Sequence, residues 1–200
     1  MAKKFYAVRS GQVPGIYTSW EECKKNVHGF GGAEYKSFLT LVEAESFMAG
    51  KTDDTSPKPR DGAAVAYVDG SFDINTSRFS YGAVIFVNGT EIEMSCAFSD
   101  AELALMRNVA GEIKGAEAVM QYCVENSIAK LDIYYDYEGI EKWCTGVWRT
   151  NKEGTSKYKA YYDSVKSQVD IRFIKVKGHS GDVNNDRADA LAKHALGIGG

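Results

Sequence analysis

The stretch AGKTDDTSPKPRDG, residues 49–62, limits what this chain can fold into more than any other feature. It holds two of the chain's three prolines, charges of both signs and no apolar run, so it neither extends a strand nor enters a core. The 200 residues therefore divide into a small front unit, a linker, and a back unit long enough to bury a full core. The boundaries read as 1–49, 50–62 and 63–200.

In the front unit, KFYAVRSG and GIYTSW read as two strands joined by a Gly/Pro turn between Gly11 and Gly15. Ser19 and Glu22 form an S-x-x-E capping box that opens a short helix, which Gly29 ends. AEYKSFL reads as a third strand, and Thr40 with Glu43 repeats the box for a second helix ending near Gly50. So small a core suits a binding module better than an enzyme.

The back unit reads as mixed α/β. AAVAYVDG, FSYGAVIFVNG and TEIEMSCAF are three strands, with VNGTE a hairpin turn between the last two. Ser99 and Glu102 supply a third box, which predicts a long helix from there to about Asn126. LDIYYD is a strand, helices follow near 138–146 and 155–167, and VDIRFIKV is the last strand. NNDRADALAKHALG closes the chain as a helix, with Ala188, Leu191, Ala192 and Ala195 along one face.

Four carboxylates stand where a fold of this kind expects apolar or neutral groups. Asp69 ends an apolar strand run at Gly70, and Asp136 ends LDIYYD in the same way. Glu112 lies along the apolar stripe Val109, Ile113, Ala116, Val119, Met120 and Cys123 of the long helix. Asp189 lies in the first turns of the last helix. Each has an ordinary alternative: a turn cap for Asp69, a helix cap for Asp136, the helix dipole for Asp189, an edge position for Glu112. Taken together, two strand ends and two helices offering inward carboxylates suit a hard divalent cation. Oxygen ligands without nearby cysteine favour magnesium or manganese over zinc.

Composition narrows the class further. Cys23, Cys96, Cys123 and Cys144 have no C-x-x-C spacing, which speaks against zinc and a disulfide framework and for a reduced, cytoplasmic protein. The N-terminal MAKKFYAVRSGQ lacks the apolar stretch of a signal peptide, and no run suggests a membrane span. A net charge of −3 argues against holding nucleic acid by bulk electrostatics, while leaving room for local basic patches or a metal-mediated site.

The motifs YVDGSF, YGAVI, NVAGE, YYDYEGI and KGHSGDVNNDRADALA resemble type 1 ribonuclease H in order and spacing, from about Ala63 to the C-terminus. The resemblance implies an α/β, ribonuclease H-like fold: a five-stranded mixed sheet flanked by helices. It implies that Asp69, Glu112, Asp136 and Asp189 bind two catalytic Mg2+ ions, with Mn2+ as a possible substitute, about 4 Å apart and bridged by Asp69. Asp189, ten residues after His179, is favoured over its rival Asp186. The implied reaction is hydrolysis of the RNA strand of an RNA–DNA hybrid, leaving 5'-phosphate and 3'-hydroxyl ends, with His179 assisting proton transfer or product departure. Gly70, Ser71 and Asn108 are the candidates for reading the 2'-hydroxyl through the shallow minor groove. Val109 stands where many members have a second Asn, and Glu138 where many have Gln. His28 and His194 read as structural or solvated.

The front motifs FYAVRSG, GIYTSWEEC and YKSF resemble the small α+β hybrid-binding domain that precedes many cellular type 1 enzymes and is related to a caulimovirus inclusion-body protein. This likeness covers about residues 4–49. It implies that Tyr6, Trp20 and Tyr35 lay their rings on the duplex and that Lys36 meets phosphate, with Ser37 where a second lysine is common. The i, i+3, i+7 spacing of Trp20, Cys23 and Val27 equally allows the indole into the core. The expected partner is an RNA–DNA hybrid, with no membrane and no protein partner evident. A junction or transposon-end nuclease, or a non-enzymatic hybrid binder, are the competing readings; four intact carboxylates speak against the second.

Overall fold

The computed structural model describes residues 4–38, 40–49, 58–176 and 182–198, with the backbone alone for Glu43 and Ser46. The chain divides into two compact units, Met1–Pro57 and Lys58–Gly200.

The front unit is a three-stranded antiparallel sheet with a helix on each face. Strand β1 (Phe5–Ser10) lies between β2 (Gly15–Tyr17) and β3 (Glu34–Phe38). Helix α1 (Trp20–Val27) begins at Ser19, whose hydroxyl accepts from the Glu22 N–H at 3.2 Å, as the capping box predicts. It ends at Gly29, whose φ of +74° places it in the left-handed region. The two-residue period of β1 separates the packing: Val8 meets Cys23 and Val27 of α1, while Ala7 meets Phe38 and Ala44 of α2 (Leu41–Met48).

The back unit is built on a five-stranded sheet in the order β6-β5-β4-β7-β8. Strands β4 (Ala64–Asp73), β5 (Arg78–Val87) and β6 (Thr90–Phe98) form an antiparallel meander. Its second turn is the expected two-residue hairpin, with Asn88 and Gly89 both at positive φ. Strands β7 (Lys130–Tyr135) and β8 (Asp170–Lys175) pair in parallel, β7 beside β4. Helix α3 (Asn108–Glu125) and helix α6 (Val183–Leu196) cover opposite faces of β4 and β5. Tyr81 meets Gly115 of α3, whereas a Cβ on neighbouring Gly82 would lie 2.1 Å from the Ala188 oxygen of α6. Helices α4 (Gly139–Thr145) and α5 (Glu153–Val165) complete the side of the core that α3 closes. This is the mixed, helix-flanked five-stranded sheet that the resemblance implies. Among the described residues no helix is long and apolar enough to cross a membrane.

Two local expectations fail. The Ser99–Glu102 box does not open the long helix; Asp100 is the capping side chain, accepting from the Glu102 and Leu103 N–H groups, and it starts only the 3-10 turn Leu103–Met106. Arg107, at φ +54°, then redirects the chain so that α3 starts at Asn108. Nor does Gly70 end the first strand, since β4 stays paired with β5 as far as Asp73.

Residues 58–62, at the end of the stretch read as a linker, are tied to the edge of the back sheet. Asp132 on β7 is fully buried and receives both Arg60 (Nε, 2.8 Å; backbone N, 2.9 Å) and Arg172 (Nη2, 2.5 Å). Arg60 also bonds Asp170, and Arg172 bonds the Lys58 carbonyl. Burial alone would raise the Asp132 carboxyl; the hydrogen bonds from Arg172 and Arg60 outweigh it and hold the group below its ordinary value. A chain trimmed to start at Gly62 loses Arg60 and leaves this carboxylate half-compensated. It should be less stable than a chain starting at Lys58 by roughly 2–4 kcal/mol. Urea midpoints of the two fragments check this, and equal midpoints would contradict it.

Candidate active site

Asp69 sits where the sheet opens. Parallel pairing of β4 with β7 stops at Tyr67 and Tyr134, while antiparallel pairing with β5 continues through Asp69 and Gly82. One strand edge is thus free at Asp69, and β7 ends beside it at Tyr135, followed by Asp136. The Gly70 N–H donates to Asp69 Oδ1 at 2.7 Å, which fixes the carboxylate against its own backbone.

Glu112 reaches the same place because α3 lies unusually close to the sheet. A Cβ on Gly70 would fall 2.1 Å from the Asn108 oxygen and 2.5 Å from the Glu112 nitrogen. One on Gly111 would fall 1.9 Å from the Ser80 oxygen and 2.9 Å from the Gly70 Cα. Two glycines therefore meet face to face, and Glu112 on the next residue is delivered, 2% exposed, beside Asp69. Asn108 Nδ2 donates to Glu112 Oε1 at 3.3 Å; Glu112 Oε2 is buried without a hydrogen-bond partner among the described residues.

Asp69, Glu112 and Asp136 each offer an oxygen within 4.8 Å of the others. Burial pushes the Asp69 carboxyl up, Asp136 and Asp189 add repulsion, and the Gly70 N–H and Lys193 only partly offset them, leaving it at about 7. Burial likewise drives Glu112 well above its ordinary value, reinforced by Asp136 and Asp69. An orphaned buried carboxylate oxygen in an all-oxygen cluster fits a hard divalent cation, which would replace the missing donor. Asp189 comes from α6 and is not one of these three: its Oδ2 accepts from Lys193 Nζ at 2.6 Å, one helical turn on. Asp186 is exposed in the first turn of α6, and His179 lies outside the described residues.

These shifts give a signed pH dependence. Between about pH 4 and pH 7 the folded, metal-free protein keeps a proton on Asp69 that the unfolded chain has lost. The stability this contributes is full below about pH 4 and is lost as pH rises through about 7. Asp69→Asn removes that loss. In EDTA at pH 8 the variant should be more stable than the parent by on the order of 2 kcal/mol, the advantage shrinking toward pH 4. Urea titrations at the two pH values decide; a less stable variant at pH 8 would refute the account.

The remaining candidates divide. Ser71 is buried on β4, Gly70 is pressed against the first turn of α3, and Asn108, exposed as a residue, spends an amide hydrogen on Glu112. In the front unit Tyr6, Trp20 and Tyr35 come together, the indole 5.8 Å and 6.0 Å from the two phenol rings. Trp20 is 41% exposed while Cys23 and Val27 are buried, so the ring stands at the rim of the core. Lys36 is not brought to this cluster. It points to the other face of β3, with Nζ 5.7 Å from the Phe38 ring centre, because adjacent strand residues alternate. The sequence reading missed Lys193 and Gly111. The i, i+4 offset of Lys193 from Asp189 was a usable signal; Gly111 carried none beyond being a glycine inside a helix.

Residues 61–197 match the family model described as RNase H, and residues 4–48 that of the Ribonuclease H1 N-terminal domain. Ribonuclease H1 of Mus musculus is 26% identical over 252 residues, covering 94% of this chain and 88% of the mouse protein. The crystal structure of RNase H1 from Halobacterium salinarum aligns with a TM-score of 0.57 at 24% identity, over 68% of this chain and 98% of that one. LC11-RNase H1, solved in complex with an RNA/DNA hybrid, aligns with a TM-score of 0.53 at 19% identity, over 67% of this chain and 96% of that one. With a ribonuclease H1-type module in front and the acid-bearing sheet behind, this chain belongs to the ribonuclease H family of enzymes.

Proposed function

We propose that the chain is an endonuclease that hydrolyses the RNA strand of RNA–DNA hybrids with two divalent cations, leaving 5'-phosphate and 3'-hydroxyl ends. The observation that carries this reading is the three-carboxylate cluster, in which one Glu112 oxygen has no hydrogen-bond partner among the described residues. Family membership supports the reaction class, and the hybrid bound to LC11-RNase H1 supports the partner.

Asp69, Glu112, Asp136 and Asp189 would hold the cations, Mg2+ by preference and Mn2+ as a substitute. When bound, such ions supply activation of the attacking water and neutralisation of the leaving oxygen. The chain's own groups do the rest. Asp69, held by the Gly70 N–H, would offer the cluster a carboxylate oxygen as a ligand for the cations. Asn108 holds Glu112 in place and, with the backbone of Gly70 and Ser71, would read the 2'-hydroxyl through the minor groove. His179 exchanges the proton that the reaction moves, or helps the product leave. Lys193 restrains Asp189 until a cation competes for it.

In the front module, residues 1–49, Tyr6, Trp20 and Tyr35 stack on the duplex, and Lys36 reaches phosphate from the opposite face of its strand. Residues 50–62 would link it to the catalytic domain, 63–200, with residues 58–62 already held at the sheet by Arg60 and Lys58. Four free cysteines suit a reducing cytoplasm. The test is a cleavage assay in Mg2+ on matched hybrid, double-stranded RNA and double-stranded DNA. Cutting confined to the RNA of the hybrid is expected; equal cutting of duplex DNA would overturn the reading.

A further inference from the structure

Two lysines and a glutamate at the rim of the acid site have no part in the chemistry above. Glu138 follows Asp136 by two residues at the start of α4, and Lys175 is the last residue of β8, in register with Tyr135. Lys175 Nζ lies 2.6 Å from Glu138 Oε1, while Lys142 Nζ, one turn along α4, donates to Oε2. The side chains of Lys142, Glu138 and Lys175 are 31%, 40% and 47% exposed. Lys142 also rests 5.0 Å from the centre of the Trp148 ring, which limits its freedom. The three groups stand at the carboxyl ends of β7 and β8, the end at which open α/β sheets receive ligands.

Lys142 and Glu138 alone would be an ordinary i, i+4 helix pair. Lys175 makes the difference, because it arrives from another element, 37 residues away, and takes the second carboxylate oxygen. Two ammonium groups thus converge on two oxygens of one anion, with a net charge of one positive unit left over. A phosphodiester presents two non-bridging oxygens in much the same way. We propose that Lys142 and Lys175 form a binding site for a backbone phosphate of the nucleic acid, and that Glu138 fills it in the free protein as an internal counter-ion that the phosphate displaces. The inference rests on the hybrid-binding reading and extends it. Glu138 then sets the strength of the grip: each phosphate must compete with a tethered carboxylate, which weakens binding and speeds departure.

Affinity measured against salt tests this directly, since each phosphate neutralised adds about 0.9 to the slope of log K against log salt. The full chain is titrated with a fluorescent hybrid duplex in EDTA, where nothing is cut, at several KCl concentrations. Glu138→Gln should bind about three- to tenfold more tightly at 0.1 M salt and steepen the slope by about one. The double variant Lys142→Gln/Lys175→Gln should bind about tenfold more weakly and flatten the slope by about one. All three side chains are partly exposed, so neither variant threatens the core. Unchanged slopes in both variants, or weaker binding by Glu138→Gln, would overturn the proposal. A parent chain that does not bind the hybrid at all would instead overturn the functional reading beneath it.

Discussion

Asp136→Asn should lower the rate of hybrid cleavage by about a thousandfold or more while leaving hybrid affinity within a few-fold. Asp136 is one of the three residues whose oxygens converge within 4.8 Å, so its substitution removes a negative charge from the cluster with almost no change of shape. The substitution also has a second, independent readout. Asp136 is the leading charge that raises both Asp69 and Glu112, after their burial. Removing it relieves repulsion in the metal-free site, so the variant should unfold at an equal or higher denaturant concentration than the parent. An inactive but fully stable protein is therefore expected. Single-turnover cleavage and urea unfolding read the two effects separately; turnover within tenfold of the parent would remove Asp136 from the metal site.

The second large effect is steric. Gly111→Ala places a methyl group 1.9 Å from the Ser80 backbone oxygen and 2.9 Å from the Gly70 Cα, and neither can rotate away. Helix α3 must lift from β4 and β5, at a cost of about 3 kcal/mol or more. In a domain of this size that lowers the melting temperature by roughly 6–12 °C. The displacement also carries Glu112 away from Asp69, so activity should fall further than stability alone explains. Gly115→Ala, one turn along the same helix, is the control. Its methyl would meet the Cβ atoms of Tyr81 and Val68 at 3.2 and 3.4 Å, which a shift of a few tenths of an ångström relieves. Equal losses from the two substitutions would mean that the close approach of α3 to the sheet is not what positions Glu112.

The contrast between these two predictions marks how far the sequence could be read. Asp136 was legible because a carboxylate at the end of an apolar strand is an anomaly in one dimension. Gly111 was not, because a glycine inside a helix reads the same whether it is tolerated or required. The start of α3 failed for a related reason. The Ser99–Glu102 spacing is a local signal, but the close contact of Gly70 with Gly111 decides where the helix begins, and Arg107 accepts a left-handed φ to permit it. The Asp132–Arg60–Arg172 group joins residues up to 112 positions apart, with no periodicity to reveal it (Arg60 to Arg172 in the numbering). Lys36 shows the opposite case. Its separation from Tyr35 follows from the strand period alone and could have been read from the start.

The most direct test of the metal reading is anomalous scattering from Mn2+ in crystals of this chain with a non-hydrolysable RNA–DNA hybrid. The account predicts two peaks about 4 Å apart beside Asp69, one of them in contact with Glu112 Oε2, the buried oxygen without a hydrogen-bond partner among the described residues. A bound hybrid with a single peak, or with no peak within reach of Asp69, would contradict it.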